Sequence, residues 1–80
     1  MRLPRDLTGA ELAKRLEKLG YIVTRQTGSH MRLTTHAKGE HHVTVPRHDP
    51  LRVGTLAAIL DAVAAHHGLS RDELLALLME

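Results

Sequence analysis

The feature that most constrains the fold is a central run of short β-type segments with helical patterns on both sides. β-branched residues are frequent in three of these segments: YIVTRQT (residues 21–27), HMRLTT (30–35) and HVTV (42–45). Gly28 and Ser29 separate the first two by two residues, which is the length of a tight hairpin loop. Pro46 ends the third, because proline has no N–H to donate to a strand ladder. We therefore predict a three-stranded antiparallel meander.

A helix is predicted before these strands, over residues 9–19. Thr8 and Glu11 have the spacing of a capping box, in which each side chain accepts the backbone N–H of the other residue. Leucine and alanine then recur at helical spacing, with charged residues between them. Gly20 follows, and glycine readily takes the left-handed conformation that ends many helices.

Two more helices are predicted after the strands. An apolar helical face runs from Thr55 to about His66. Ser70 and Glu73 form a second capping box, which opens a last helix that extends through Leu78. The element order is then α-β-β-β-α-α. Since strand alternation leaves one sheet face polar, we expect an α+β fold with a three-stranded antiparallel sheet and its helices on the other face.

Composition excludes several classes of protein. Eighty residues without an internal repeat predict one domain over residues 1–80. The absence of cysteine excludes disulfides and cysteine zinc sites, and a single Tyr without Phe or Trp cannot form a base-stacking platform. We expect neither a signal peptide nor a membrane span, because no stretch approaches about 20 apolar residues and the start lacks an apolar run. The expected location is the cytoplasm.

Histidines concentrate in the strand region. Five of the seven lie between residues 21 and 48, where Glu40 is the sole acidic residue. Strand alternation places a polar set on the exposed sheet face: His30, Arg32, Thr34, His42 and Thr44. Imidazoles beside a guanidinium suit a ligand that carries phosphate. On composition alone, a solvated face without function is an equally good interpretation.

The histidines do not have the spacing of a metal site. No pair stands at i and i+4 on a helix with a supporting glutamate, and adjacent histidines in a strand point to opposite faces. We therefore predict surface histidines, no metal site and no cofactor. Ser29 is likewise predicted to be a turn residue and not a nucleophile, because TGSH lacks the strand-to-helix elbow of serine hydrolases.

His30 is better suited to acid–base catalysis on RNA. RNA supplies its own nucleophile in the 2′-hydroxyl, so cleavage needs proton transfer and stabilisation of the charge on phosphorus. One imidazole contributes about 10²–10⁴-fold as general acid or base. Arg32 and the backbone N–H groups around Gly28 and Ser29 can receive the phosphate. Local chemistry permits this role without requiring it, since a histidine beside a turn is usually just exposed.

Three stretches, in this order, resemble the HicA (YcfA-like) mRNA interferase toxins: LTGAELAKRLEKLGYIVTRQTGSHMRLT, VTVPRHDPLRVGTLAAIL and GLSRDELLALL. They extend over nearly the whole chain. The resemblance implies a fold similar to double-stranded RNA-binding domains. It also implies the toxin of a type II toxin–antitoxin system, a metal-independent endoribonuclease that cuts mRNA and is inhibited by a HicB-type antitoxin. Whether the chain forms a homo-oligomer, or a hetero-oligomer with the antitoxin, stays open.

The functional histidine of that family stands in a G-S-H string, which matches Gly28, Ser29 and His30. The resemblance therefore implies that His30 is catalytic and that Gly28 and Ser29 lie at the substrate. We add three predicted phosphate contacts: Arg25, Arg32 and Lys14. Two possibilities stay open: His30 acts in turn as base and acid, or it shares proton transfer with His42 or water.

Two departures from the family pattern bear on RNA binding. Where the family commonly has basic residues in its GTL-x-x-IL helix, this chain has Ala57 and Ala58, followed by Asp61. The stretch DAVAAHH also makes that helix about one turn longer. Two alternatives to an enzyme stay open: a non-catalytic double-stranded RNA-binding module, and an interaction domain that docks a partner on its leucine-rich last helix.

Overall fold

The computed structural model describes residues 3–80, which share one hydrophobic core. Helix α1 spans Gly9–Arg15 and continues as a 3₁₀ turn over Leu16–Leu19. The strands are β1 (Ile22–Thr27), β2 (His30–Thr35) and β3 (His41–Pro46). Two helices follow, α2 (Val53–His67) and α3 (Arg71–Leu78). The predicted order α-β-β-β-α-α is confirmed, and it is compatible with the order in double-stranded RNA-binding domains. The predicted domain also includes residues 1 and 2, which lie outside the described residues.

The end of the first helix differs from the prediction. Of the predicted range 9–19, residues 9–15 are α-helical and the last turn is a 3₁₀ helix. Its capping box is present, since the Glu11 carboxylate accepts the Thr8 N–H at 2.9 Å and the Thr8 hydroxyl accepts the Glu11 N–H at 3.1 Å. The last turn, Leu16–Leu19, is 3₁₀ because Gly20 takes a φ of +85° and its N–H donates to the carbonyl three residues earlier at 3.0 Å. The chain thereby turns sharply into β1.

The three strands form one antiparallel sheet in the order β1-β2-β3, as predicted. Gly28 has a φ of +56° at the first position of the loop between β1 and β2, which is the left-handed position of a type II′ hairpin turn. The register shifts between Val23 and Arg25, so β1 contains a bulge. A bulge increases the local twist of an edge strand and blunts it against pairing with other chains.

Apolar side chains fill the space between one sheet face and the helices, which confirms the predicted layers. From the strands, the side chains of Met31, Leu33, Val43 and Val45 enter this core. Helix α2 contributes the predicted apolar face, Leu56, Ile59, Leu60 and Val63. Exposing these apolar side chains to water would cost about 1.5–3 kcal/mol for each large one. The sheet face that carries them therefore packs against the helices, and the opposite sheet face carries the polar residues. Among residues 3–80, no helix has the length and apolar character needed to cross a membrane.

Candidate active site

His30 is the first residue of β2 and is exposed at one end of the sheet. Its Cα partners are Thr27 in β1 and Pro46 in β3, so it begins the central strand with a neighbour on each side. The backbone N–H of Arg47 donates to the carbonyl of Ser29 at 2.6 Å and ties the segment after β3 to the hairpin turn. The backbone of His30 is therefore fixed on both sides while its side chain meets solvent.

Two of the three predicted phosphate contacts lie on the same sheet face as His30. Arg32 is two residues along β2 and therefore shares its face, and Arg25 is the Cα partner of Arg32 in β1. Both side chains are exposed. Like charges directly opposite one another in a sheet repel, and an anion bound between them removes that cost. The pair is therefore suited to a phosphate-bearing ligand.

Lys14, the third predicted contact, is not brought to His30. It lies in the helix layer, on the opposite side of the sheet from Arg32. There it borders a depression of about 610 Å³ whose walls carry both signs of charge: Glu11, Lys14, Arg15, Glu17, Lys18 and Glu80. The neighbouring cations hold helix α3, because Arg15 and Lys18 donate to carbonyls in its last turn at 2.9 and 3.1 Å. This region is a helix–helix contact, remote from the polar sheet face.

His42 shares the polar face with His30 but lies near its other end. Its Cα partner is Thr34, four residues from His30 and therefore about 13 Å along the strand. Its Nδ1 is 2.7 Å from the Thr34 hydroxyl, which also bonds the Thr24 hydroxyl, and its Nε2 is 2.8 Å from the Glu40 carboxylate. The hydrogen bond from His42 lowers the pKa of Glu40. The structure thus does not place His42 where it could share proton transfer with His30.

Arg47 and His48 follow the end of β3 that pairs with His30, an arrangement that we did not anticipate from the sequence. They directly follow Pro46, the Cα partner of His30, and the carbonyl of His48 accepts the Gly9 N–H at 2.9 Å. Both side chains are exposed and border a shallow cavity of about 200 Å³, together with Thr8, Ala10 and Asp49. The signal was present in the sequence, because the end of the third strand of a meander lies beside the start of the second.

Four of the seven histidines are exposed, as predicted, but a histidine cluster formed by Tyr21, His41, His66 and His67 departs from the prediction of surface histidines. Tyr21 and His67 are buried in it, and His41 and His66 are half-buried. The Tyr21 hydroxyl lies 2.7 Å from Nδ1 of His41 and 3.2 Å from Nε2 of His67. The His41 and His66 rings stack with centroids 4.3 Å apart, and Nε2 of His66 donates to two carbonyls of the β2–β3 connection at 3.0 Å. His67 is 4% exposed. Within residues 3–80, no three His, Cys, Asp or Glu residues are grouped so as to hold a metal ion.

Burial disfavours protonation of His41 and His67 in this cluster. Burial, and then the charge of His66, hold the pKa values of both His41 and His67 below their ordinary range, and Lys38 lowers that of His67 further. Burial also raises the pKa of Tyr21 to about 12, so its phenol keeps its proton. A phenol donates one hydrogen bond, so one neighbouring imidazole must accept it. Protonating both imidazoles would leave that proton without an acceptor.

We expect the fold to lose stability as the pH falls below 6.5, the ordinary pKa of histidine. The folded-state pKa values of His41 and His67 are lowered, so the unfolded chain binds more protons in this range. By linkage, the stability that the neutral rings contribute is complete above pH 6.5 and is lost as the pH falls through the lowered values. Urea unfolding at about pH 7.5 and about pH 5.5 should show a lower midpoint at the acidic pH.

A double variant isolates this effect. In His41→Asn with His67→Gln, the amides can still bond the Tyr21 hydroxyl but do not titrate, so the difference in urea midpoint between the two pH values should shrink. His36→Asn, at a histidine whose side chain is 79% exposed, should keep the difference. A difference that persists unchanged in the double variant would assign the acid sensitivity to other groups. Carboxylates with lowered pKa values, such as Glu73, respond only below 4.5.

The chain was compared with known families, curated proteins and solved structures. A family model described as the HicA toxin of bacterial toxin–antitoxin systems matches residues 9–64. The match includes α1, the three strands with His30, and most of α2, whereas His66, His67 and α3 lie beyond it. The comparisons with curated proteins and with solved structures gave no match. Since the matched residues make up more than half of the chain, this protein belongs to the HicA family of toxins of bacterial toxin–antitoxin systems.

Proposed function

We propose that this protein is a metal-independent endoribonuclease that cuts mRNA in the cytoplasm, with His30 as its general acid–base residue. The observation that carries the proposal is the position of His30, an exposed imidazole on a fixed backbone, on a sheet face that also presents Arg25 and Arg32. Membership of a toxin family supports it, because cleavage of mRNA is a direct way to stop growth. Buried apolar residues cover the other sheet face, so the polar face is the one available to substrate.

The chemistry needs few protein groups. His30 removes the proton of the 2′-hydroxyl as the 2′-oxygen attacks phosphorus. The bond from phosphorus to the 5′-oxygen then breaks, and that oxygen takes up a proton from an acid or from water. The products are a 2′,3′-cyclic phosphate and a 5′-hydroxyl. Arg25 and Arg32 bind phosphates next to the scissile one. The space over Gly28 is open, with no atom within 4 Å of where a Cβ would stand, so RNA can approach the backbone of the Gly28–Ser29 turn closely.

The toxin of such a system has an antitoxin as its partner. We propose a HicB-type protein that covers the face carrying His30. Two exposed guanidinium groups, those of Arg25 and Arg32, favour an inhibitor that presents carboxylates to the same place as RNA phosphates. Such an inhibitor would compete directly with substrate, so one surface serves both the RNA and the antitoxin.

The non-catalytic alternatives receive less support. A double-stranded RNA-binding module needs positive charge along its second helix, but Ala57 and Ala58 carry none and Asp61 accepts two hydrogen bonds from Arg71, at 2.9 and 2.8 Å. These hydrogen bonds lower the pKa of Asp61. An interaction domain would need free leucines on α3, yet Leu74, Leu75 and Leu78 are at most 1% exposed in the chain's own core and Leu77 is half-buried.

The test is incubation of the purified protein with a long mRNA in buffer containing EDTA. We expect cleavage to fragments with 5′-hydroxyl ends, and we expect the antitoxin encoded with the toxin to stop it when added. Expression should arrest growth, and co-expression of the antitoxin should restore it. Binding of RNA without any cleavage would replace this proposal with the double-stranded RNA-binding alternative, since that function requires no bond to break.

A further inference from the structure

The structure assigns a second proton-transfer residue to the proposed reaction, His48; the inference rests on the ribonuclease function proposed above. Cleavage by the 2′-hydroxyl needs a base at the attacking oxygen and an acid at the leaving 5′-oxygen, on opposite sides of phosphorus. One imidazole cannot serve both oxygens in the same step. A second imidazole on the other side of the scissile phosphate removes this difficulty, at a gain of about 10²–10⁴-fold.

The strand register sets an upper limit on the distance between the Cα atoms of His30 and His48. Pro46 is the Cα partner of His30, and the bond from the Arg47 N–H to the Ser29 carbonyl flanks this pair, as expected at a non-hydrogen-bonded position of an antiparallel ladder. Cα atoms in such a pair are about 4.5 Å apart. His48 follows two residues later, at most about 7 Å further. Two side chains on Cα atoms within about 11 Å of each other can reach the two sides of one phosphodiester.

Other histidines among residues 3–80 are placed less well for this role. His42 is about 13 Å along β2 from His30 and is bound to Glu40 and Thr34 through both ring nitrogens. His36 follows β2 at the opposite end of the sheet. The remaining three, His41, His66 and His67, belong to the histidine cluster.

The segment that carries His48 is held by backbone hydrogen bonds. The N–H of Arg47 donates to the hairpin turn at 2.6 Å, the carbonyl of His48 accepts the N–H of Gly9 at 2.9 Å, and the N–H of Leu51 donates to the carbonyl of Leu7 at 2.8 Å. These bonds fix the segment between the turn that precedes His30 and the start of α1. The side chain of His48 nevertheless stays exposed. A fixed loop with an exposed titratable side chain is the arrangement that catalysis uses.

The division of roles balances the protons. Neutral His30 accepts the 2′-hydroxyl proton while the 2′-oxygen bonds to phosphorus; protonated His48 gives its proton to the 5′-oxygen as the bond to phosphorus breaks. Each ring returns to its starting state by proton exchange with water.

The test compares two oligoribonucleotides that contain one mapped cleavage site, with oxygen or with sulfur as the bridging 5′ atom. A thiolate leaves without protonation, so it has no need of the acid. We expect His48→Ala, and His48→Gln as the better steric match, to cut the oxygen substrate about 10²–10⁴-fold more slowly than wild type and the sulfur substrate within a few-fold of it. His30→Ala should fail on both substrates, and His36→Ala should match wild type on both.

The outcomes separate this inference from the proposed function. If both His48 variants lost the same factor in cleavage rate on the two substrates, His48 would not be the acid. If both variants cut the oxygen substrate at the wild-type rate, His48 would not belong to the site. Recovery of His30→Ala on the sulfur substrate would reverse the two roles and overturn the assignment. Wild-type protein that cuts neither substrate would overturn the proposed ribonuclease itself, and the inference with it.

Discussion

Replacing His30 with alanine is expected to slow the cleavage of mRNA by about 10²–10⁴-fold and to leave the fold intact. The rate should fall because the proposed reaction loses the group that takes the 2′-hydroxyl proton. The fold should survive because the His30 side chain is exposed, and alanine makes the same backbone pairings with Thr27 and Pro46. Single-turnover cleavage in EDTA measures the first effect, and urea unfolding measures the second.

His36→Ala is the matched control for His30→Ala. His36 is also an exposed histidine close to β2, but it lies at the opposite end of the strand, so its loss should leave the rate unchanged. A substrate with deoxyribose at the scissile nucleotide should resist the wild-type protein, because it lacks the nucleophile that His30 activates. Equal residual cleavage by wild type and His30→Ala would remove His30 from the chemistry and attribute the activity to another residue.

The sequence predicted the part of the site that local rules determine. Alternation fixes which side chains share a face, so His30 and Arg32 were expected together, and the two-residue loop at Gly28 fixed the hairpin that precedes them. Arg25 reached the same face through a register that the sequence did not reveal. The bulge between Val23 and Arg25 inserts one extra residue into β1 and so shifts the inward–outward alternation of its side chains. As a result, Ile22 and Arg25 both lie on the polar sheet face, although three positions separate them.

The parts that the sequence did not predict depend on contacts between distant residues. A helical pattern shows which residues share a helix face but not where the helix packs. The sequence therefore could not reveal that Lys14 lies on the opposite side of the sheet from the polar face. The pairing of Tyr21 with His67 spans 46 positions and needs the final position of α2. Because a buried phenol must find hydrogen-bond partners, a single Tyr before a strand was a weak signal for such a cluster.

The additional turn of α2 serves the fold rather than the proposed RNA site. His66 and His67 lie beyond the part of the chain that matches the family model, and both belong to the histidine cluster. Through them the end of α2 contacts Tyr21 and the connection between β2 and β3. The longer helix is therefore accounted for by packing, with the consequence that stability responds to pH.

Replacing Gly9 with alanine is expected to destabilise the protein by about 3 kcal/mol, a large share of the total for a domain of this size. A Cβ at Gly9 would overlap the carbonyl oxygen of Pro46 and press on Cα of Arg47 at 3.1 Å. Both contacts are backbone atoms at the end of β3, so no side chain can turn aside. The start of α1 would have to move away. Thermal unfolding should show the melting temperature lowered by about 10–20 °C.

Gly54→Ala is the matched control for Gly9→Ala, because it adds the same methyl group to a glycine in the first turn of α2. No atom lies within 4 Å of its Cβ position, so alanine should stabilise α2 by about 0.5 kcal/mol. The two variants should therefore change stability in opposite directions. Gly9→Ala should also slow cleavage, since the N–H of Gly9 holds the carbonyl of His48 and displacement of α1 releases that segment from the side of His30. If Gly9→Ala retained wild-type stability, the close contact between α1 and the end of β3 would be wrong, and the support it gives to the position of His48 would be lost.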